Sequence, residues 1–255
     1  MAKKNFLSLL ALFACNMAFA QSDQPCKPVN LRCEHLINPL GIDAPAPRLS
    51  WMLNDARQGA KQSAYQLIGT DSMNVVQGKG NTWNTDKKQS GDILVSYSGK
   101  KLEPFTRYYW KVNVWDKDGT QSASDVNSFE TGVMDINNWT GTWISDHNDI
   151  NHKAAPYFRK VFESKKTIKS ARAYICAGGL YELYLNGEKI GNHRLDPMYT
   201  RFDRRNYYVT YDDTDQLQQG RNAIGVLLGN GWYNHQSLGE WAFHKVPTWT
   251  EDPAK

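Results

Sequence analysis

Residues 181–190 read YELYLNGEKI and decide the fold of the C-terminal half of the chain. Leu180–Leu185 carries the Tyr and Leu residues that favour a strand. Asn186-Gly187 follows, and both residues tolerate the positive φ angles that a two-residue hairpin turn requires. With Lys189–Gly191 as the return strand, the stretch predicts a tight β-hairpin.

A second stretch makes the same case for the N-terminal half. In Arg107–Trp115 the residues alternate, which places Tyr108, Trp110, Val112 and Val114 on one face of a strand. Asp116-Lys117-Asp118-Gly119 then supplies a turn. The rest of the chain shows short alternating segments broken by Gly, Pro, Asn and Asp, without long helical periodicity, which indicates an all-β protein.

The strands divide into two modules. Residues 24–132 have the size and strand density of a fibronectin type III or immunoglobulin-like sandwich. Residues 133–142 are expected to be a linker in which Trp139 packs between the modules, and residues 143–255 to be an incomplete jelly-roll-like sandwich. A jelly roll has about eight strands, and this module offers fewer candidates. The predicted strands are Leu31–Ile37, Arg48–Asn54, Ser63–Thr70, Ile93–Tyr97, Arg107–Trp115 and Val126–Thr131, then Pro156–Glu163, Ile168–Cys176, Leu180–Leu185, Lys189–Gly191, Asn206–Tyr211 and Asn222–Leu228.

Residues 1–20 have the features of a signal peptide. Lys3 and Lys4 are followed by the apolar run Phe6–Phe13, and Ala18-Phe19-Ala20 fits the cleavage rule. The run is too short to span a membrane, so the protein is predicted to be secreted or periplasmic. A lipoprotein anchored at Cys15 is the minor alternative.

Composition and spacing exclude several classes of function. The formal charge of +4 is spread along the chain without a basic run, which argues against nucleic-acid binding. Cys26, Cys33 and Cys176 show no C-x-x-C spacing, and the six His residues show no metal-ligand spacing. No cofactor or metal is therefore predicted. Cys26 and Cys33 are either a disulfide pair or two free thiols.

Nine ordered motifs resemble the N-terminal region of bacterial α-L-rhamnosidases. They are NPLGID at 38–43, PRLSW at 47–51, QSAYQL at 62–67, RYYWKV at 107–112, WDKDG at 115–119, FETG at 129–132, YFRK at 157–160, GLYELYLNG at 179–187 and LGNGWY at 228–233. The resemblance implies a fibronectin-like module and a jelly-roll module that accompany an (α/α)6 catalytic barrel. It also implies inverting hydrolysis of terminal α-linked L-rhamnose from plant glycans or glycosides, by a carboxylate pair in that barrel. No family catalytic residue maps onto a position of this sequence.

The candidate carbohydrate site comprises Asn230, Trp232 and Tyr233, together with Tyr199 and Arg201. Aromatic rings offer flat faces to sugars, and amide and guanidinium groups hydrogen-bond hydroxyls. The competing interpretation is that Trp232 packs against a neighbouring catalytic domain.

The acidic residues of the second module are interpreted as turn residues on a solvated rim. They are Asp196, Asp203, Asp212, Asp213 and Asp215. A calcium site at residues 212–215 is a weaker alternative, because the spacing matches no known calcium loop.

Three functions follow from these patterns. The first is an accessory region of a secreted α-L-rhamnosidase, with a catalytic barrel and rhamnose-containing carbohydrate as partners and no activity of its own. The second is a stand-alone secreted carbohydrate-binding protein. The third is a small self-sufficient glycosidase, which requires a carboxylate pair that the sequence does not identify.

Overall fold

The computed structural model describes residues 25–77, 80–146 and 154–233. The predicted signal peptide, the alternative lipid site at Cys15 and the aromatic segment from Trp241 to Trp249 lie outside the described residues. The described part is all-β, and its only helical segments are two 3-10 turns, Met73–Gln77 and Ile136–Asn138. Within it, no helix is long and apolar enough to cross a membrane.

The first module is a sandwich of two antiparallel sheets. Its strands are β1 (Lys27–Cys33), β2 (Arg48–Asn54), β3 (Gln62–Thr70), β4 (Trp83–Asn84), β5 (Lys88–Gln89), β6 (Leu94–Ser96), β7 (Arg107–Asp116), β8 (Gln121–Ala123) and β9 (Asn127–Glu130). One sheet has the order β1-β2-β6; in the other, β3 and β7 form the centre, with β4 and β5 on β3 and with β8 and β9 on β7.

Strand β7 shows why the alternating pattern builds this core. Tyr108, Trp110, Val112 and Val114 are all buried, as the sequence predicts, and they contribute to the core cluster. Trp51 of β2 meets Tyr65 of β3 across the sandwich, with ring centroids 5.6 Å apart. The two sheets therefore share one apolar layer.

The prediction of a strand from Leu31 to Ile37 is wrong at its C-terminal end. Strand β1 stops at Cys33, because Glu34 and His35 take positive φ angles of 48° and 66° and turn the chain back. Cys33 then pairs with Leu36 in an isolated bridge. Positive φ is uncommon for residues other than Gly, although His, Asn and Asp adopt it more often than the rest. A Glu-His pair is not a usual turn signal, so the local sequence did not indicate this turn.

The second module also consists of two antiparallel sheets, ordered β10-β15-β12-β13 and β11-β14. The Asn186-Gly187 hairpin is confirmed, with φ angles of 55° and 91° at the two turn residues. The segment 168–171, predicted as strand, precedes β11 instead, and residues 213–219 form a loop with turns. The strands are β10 (Tyr157–Ser164), β11 (Arg172–Cys176), β12 (Leu180–Leu185), β13 (Glu188–Lys189), β14 (Tyr208–Asp212) and β15 (Gly220–Gly229).

The cores of the two modules differ in how completely the two sheets cover them. Strand β11 is half-buried at all five positions. A cavity of about 380 Å³ opens between the two sheets of the second module, lined mainly by apolar side chains such as Ile175, Leu183 and Ile224. The second module therefore presents apolar surface between its sheets, and its core cluster has fewer buried residues than that of the first module.

All three cysteines of the described part are free thiols. Cys26 and Cys33 are buried in the first module, so the structure favours the free-thiol alternative over the disulfide. Burial raises the pKa of the Cys33 thiol to about 12 and that of Cys176 to about 11. Thiols held in the neutral form are poor nucleophiles, so these residues act as small apolar side chains.

Candidate functional site

Four aromatic rings gather where β15 ends. The ring of Tyr199 lies 6.4 Å from that of Trp232 and 5.7 Å from that of Phe202, and Phe202 lies 5.3 Å from Tyr233. All three pairs are close to perpendicular, the edge-to-face geometry that aromatic quadrupoles favour. We call Tyr199, Phe202, Trp232 and Tyr233 the aromatic cluster.

A glycine pair before β12 allows the cluster to form. A Cβ atom on Gly178 would lie 3.1 Å from the ring of Tyr233, and a Cβ on Gly179 would collide with the backbone of Gly229 and lie 3.1 Å from the carbonyl oxygen of Asn230. Gly179 also has a φ of 118°, which side chains rarely adopt. The close backbone approach therefore positions residues 230–233 over this turn.

The cluster has a buried base and an exposed rim. Phe202 is 8% exposed, whereas Tyr199 and Trp232 are 59% and 58% exposed. The guanidinium of Arg201 forms two hydrogen bonds of 2.9 Å with the carboxylate of Asp203. The rim therefore carries two exposed aromatic side chains, and the guanidinium of Arg201 already has a carboxylate partner.

The structure thus brings three of the five predicted residues into one cluster: Tyr199, Trp232 and Tyr233. Asn230 lies beside it through its backbone contact with Gly179, and Arg201 is adjacent in the chain but engaged elsewhere. The sequence analysis missed Phe202, which links the other rings. Its position three residues after Tyr199 was the available signal, but a lone Phe in a polar loop does not indicate a buried ring.

The interpretation of the acidic residues as a solvated rim needs correction at Asp196 and Asp213. Asp196 is half-buried, and its side chain is only 17% exposed. Asp212 and Asp215 are exposed, but Asp213 is only 7% exposed and lines the cavity between the sheets. Burial, together with the neighbouring Asp212, raises its pKa to about 6. Among the described residues, no group of three or more His, Cys, Asp or Glu side chains is arranged to hold a metal ion.

A second functional feature is the contact between the modules, which we call the seam. The Tyr208 hydroxyl on β14 lies 2.8 Å from both carboxylate oxygens of Asp43 in the first module and accepts a hydrogen bond of 3.0 Å from the backbone N–H of Val133. Trp139 packs on Tyr208 with ring centroids 5.8 Å apart, as its predicted role between the modules requires.

Two glycines of the first module make this approach sterically possible. A Cβ atom on Gly132 would overlap the Tyr208 hydroxyl and lie 2.7 Å from Asp43 Oδ1. A Cβ on Gly41 would lie 2.5 Å from Thr210 Oγ1. The seam therefore requires glycine at both positions because backbone and side chain are in direct contact.

Ion pairs extend the seam on its other side. Arg172, whose side chain is only 11% exposed, donates to both oxygens of Glu130 at 2.8 and 3.0 Å and to Asp212 at 2.6 Å. Arg107 adds a 3.1 Å pair with Glu130 and a 3.9 Å pair with Asp212. Bidentate arginine pairs of low exposure fix orientation as well as distance.

Two family models match this architecture. A model described as the Rha78A-like, N-terminal immunoglobulin domain matches residues 28–135, and the α-L-rhamnosidase N-terminal domain matches residues 166–252. In sequence, the chain therefore matches the N-terminal region of α-L-rhamnosidases.

Curated relatives agree with this assignment. An α-L-rhamnosidase of Formosa agariphila is 38% identical over 77% of this chain and 23% of its own length. One from an Alteromonas species is 30% identical over 90% of this chain and 26% of its own length. The chain therefore spans about a quarter of the rhamnosidases that it matches.

Solved rhamnosidase structures share the fold across both modules. An α-L-rhamnosidase from Dictyoglumus thermophilum has a TM-score of 0.76 and 42% sequence identity, covering 80% of this chain and 25% of its own. The Aspergillus terreus enzyme has a TM-score of 0.71 and 30% identity, covering 81% of this chain and 24% of its own.

Proposed function

We propose that this chain is the non-catalytic N-terminal part of a secreted α-L-rhamnosidase, and that it forms a two-module arm of fixed geometry. The enzyme that it serves hydrolyses terminal α-linked L-rhamnose in glycans or glycosides, with the acid and base on a separate catalytic domain. The relatives support this proposal, because each carries the rhamnosidase name and is about four times as long as the matched segment. Secretion is supported by the signal-peptide features of residues 1–20.

The seam is the observation that carries the proposal. It joins residues that lie far apart in the sequence, such as Asp43 and Tyr208, and it combines direct hydrogen bonds with a nearly buried arginine. Domain contacts of this kind limit relative motion, which is otherwise the default between modules. Two modules that are held at a fixed relative orientation are suited to positioning a further domain.

The ion pairs of the seam carboxylates support a catalytic pair on a separate domain. An inverting glycosidase needs two carboxyl groups about 6.5–9.5 Å apart, with room for a water and a sugar between them. Glu130 and Asp212 lie near each other at the seam, but Arg172 and Arg107 fill the space between them and pair with both. This pair is structural rather than catalytic.

A domain exchange tests the proposal. The purified chain should show no turnover of an aryl α-L-rhamnoside. The Formosa agariphila relative should lose stability and activity when its own N-terminal region is deleted, and should recover both when residues 25–255 of this chain replace that region. Turnover by the isolated chain, or full activity of the deleted relative, would contradict the accessory role.

A second candidate function is carbohydrate binding at the aromatic cluster. The exposed rings of Tyr199 and Trp232 favour it, because flat apolar faces beside polar groups suit sugar rings. Calorimetric titration with L-rhamnose and rhamnosylated oligosaccharides should show binding that Trp232→Ala abolishes. Trp143→Ala is the matched control, because Trp143 is 64% exposed but precedes β10 and is not part of the aromatic cluster.

Two outcomes count against sugar binding. One is an absence of heat at millimolar sugar with the intact chain. The other is an equal loss of binding in the Trp232 and Trp143 variants, which would indicate non-specific contact with exposed indoles. If Trp232→Ala instead weakens only the recovery of activity in the exchanged enzyme, Trp232 contacts the catalytic domain rather than the sugar.

A further inference from the structure

The loop that carries Tyr199 is fixed at buried points on both sides of that residue. Asp196 precedes Tyr199 and is half-buried, Pro197 is buried, and Phe202 follows at 8% exposure. Between these anchors, Met198 and Tyr199 are 75% and 59% exposed. The exposed part of the loop is therefore short, and its orientation depends on how the anchors are held.

Asp196 is held by a chain of hydrogen bonds that leads into the core of the second module. Its Oδ2 accepts a hydrogen bond of 3.1 Å from the Tyr211 hydroxyl and lies 3.0 Å from His193 Nδ1. The Tyr211 hydroxyl lies 3.0 Å from that of Tyr181, and the backbone N–H of Tyr181 donates to the Asp196 carbonyl at 2.8 Å. Both the side chain and the backbone of Asp196 are thus tied to the core.

The direction of these hydrogen bonds follows from the protonation of the tyrosines. Burial raises the pKa of Tyr211 to about 12 and also raises the pKa of Tyr181, so both hydroxyls keep their protons at neutral pH. Because Tyr211 donates its proton to the Asp196 carboxylate, Tyr181 donates to Tyr211. Both tyrosine hydroxyls have a hydrogen-bond acceptor in this chain only while the Asp196 carboxylate accepts from Tyr211.

The backbone beside Asp196 shows that these bonds impose a conformation. Leu195 has a φ of 61° and a side chain that is 72% exposed. A bulky residue at positive φ costs free energy and persists only where its surroundings determine it. With the Leu195 side chain so exposed, the contacts of Asp196 are what maintain this conformation.

We propose that Asp196 is a positioning residue for the aromatic cluster: its hydrogen bonds to Tyr211 and His193 set the loop so that Tyr199 meets Trp232. That the aromatic cluster binds a rhamnose-type sugar rests on the carbohydrate-binding function proposed above. The orientation of the cluster is a property of the chain itself and is measured without any ligand.

The test follows the indole N–H resonance of Trp232 in the full chain, identified by its loss in Trp232→Phe. Asp196→Ala should shift this resonance and weaken sugar binding about tenfold, whereas Asp196→Asn should preserve both, because its side-chain oxygen still accepts from Tyr211. Glu188→Ala, which changes an exposed carboxylate on β13, is the control and should have no effect.

A variant with a smaller change guards against misfolding. Tyr211→Phe removes only the hydroxyl that donates to Asp196, and it should shift the Trp232 resonance in the same direction as Asp196→Ala. An unchanged resonance in both variants would overturn the positioning role, and so would equal effects of Asp196→Asn and Asp196→Ala. If the intact chain binds no sugar while the resonance responds as expected, the sugar-binding candidate fails and the positioning role stands.

Discussion

Replacing Gly132 with alanine tests the seam at its tightest contact. The backbone of Gly132 forms two hydrogen bonds of 3.0 Å: its N–H donates to the Ile42 carbonyl, and its carbonyl accepts from the N–H of Phe105. A methyl group at this position would overlap the Tyr208 hydroxyl and lie 3.1 Å from the carbonyl carbon of Gly41. Because these backbone bonds hold residue 132 in place, the Tyr208 side chain has to withdraw.

The expected loss follows from the bonds that Tyr208 gives up. Its hydrogen bond to the Asp43 carboxylate is worth about 1.5–3 kcal/mol, and the bond from the backbone N–H of Val133 about 1 kcal/mol. Gly132→Ala should therefore destabilise the chain by about 3 kcal/mol. For a protein of this size, that corresponds to a fall in Tm of roughly 6–12 °C.

A double-mutant cycle measures whether the clash is the cause. Tyr208→Phe removes the hydroxyl that the methyl group would strike, so Gly132→Ala should cost about 2 kcal/mol less in that background than in the wild type. Stability is measured by urea unfolding, with far-ultraviolet circular dichroism as the signal. Gly91→Ala is the matched control, because its Cβ would meet only the Gln62 carbonyl at an ordinary 3.6 Å.

Two results would refute the reasoning. Additive effects of Gly132→Ala and Tyr208→Phe would show that the methyl group does not act through the hydroxyl. Equal stabilities of the Gly132 and Gly91 variants would show that the seam adds nothing to the stability of the chain.

Three further predictions concern charge and backbone. Arg172→Ala should destabilise the chain by about 3 kcal/mol, because it leaves the nearly buried Glu130 carboxylate with only the half-exposed Arg107 as a partner. Arg201→Ala, whose ion pair is exposed, should cost less than about 1 kcal/mol in the same urea titration. Because the pKa of Asp213 is raised to about 6, the folded chain binds an extra proton between about pH 4 and 6 and loses stability as the pH rises through that window. Asp213→Asn should remove this pH dependence of stability and stabilise the chain by about 2–3 kcal/mol at pH 7.5. An unchanged pH dependence in the variant would contradict the prediction. Gly187→Ala should cost about 1 kcal/mol by thermal melting, although its Cβ would meet nothing, because its φ is 91°; no loss relative to Gly91→Ala would show that the turn adapts.

Local patterns predicted the strands where one face is buried and the other is not. The alternation of Tyr108 to Val114 and the Asn186-Gly187 turn both appear in the structure as predicted. Prediction failed where a residue departs from its usual behaviour. Glu34 and His35 turn the chain with positive φ, and Asp213 is buried in an apolar cavity. Such departures are imposed by surrounding packing, which no local window contains.

The candidate site was predicted in part for the same reason. Trp232 and Tyr233 stood out because aromatic residues after a glycine-containing break are conspicuous in a sequence. Their connection to Tyr199 through Phe202 and the anchoring of that loop by Asp196 depend on contacts between β12, β14 and the end of β15. These contacts exist only once the sheets have formed.

The sequence alone determined that the chain is built from β-strands. It also determined the position of the clearest hairpin turn and the face of β7 that packs into the core of the first module. These properties follow from the two-residue period of a strand and from the φ preferences of single residues. The tertiary structure decided that Asp43 and Tyr208, 165 positions apart, bond to each other and that glycine is required beside them. Such a contact depends on how two finished modules pack, and the residues on either side carry no local mark of their partner.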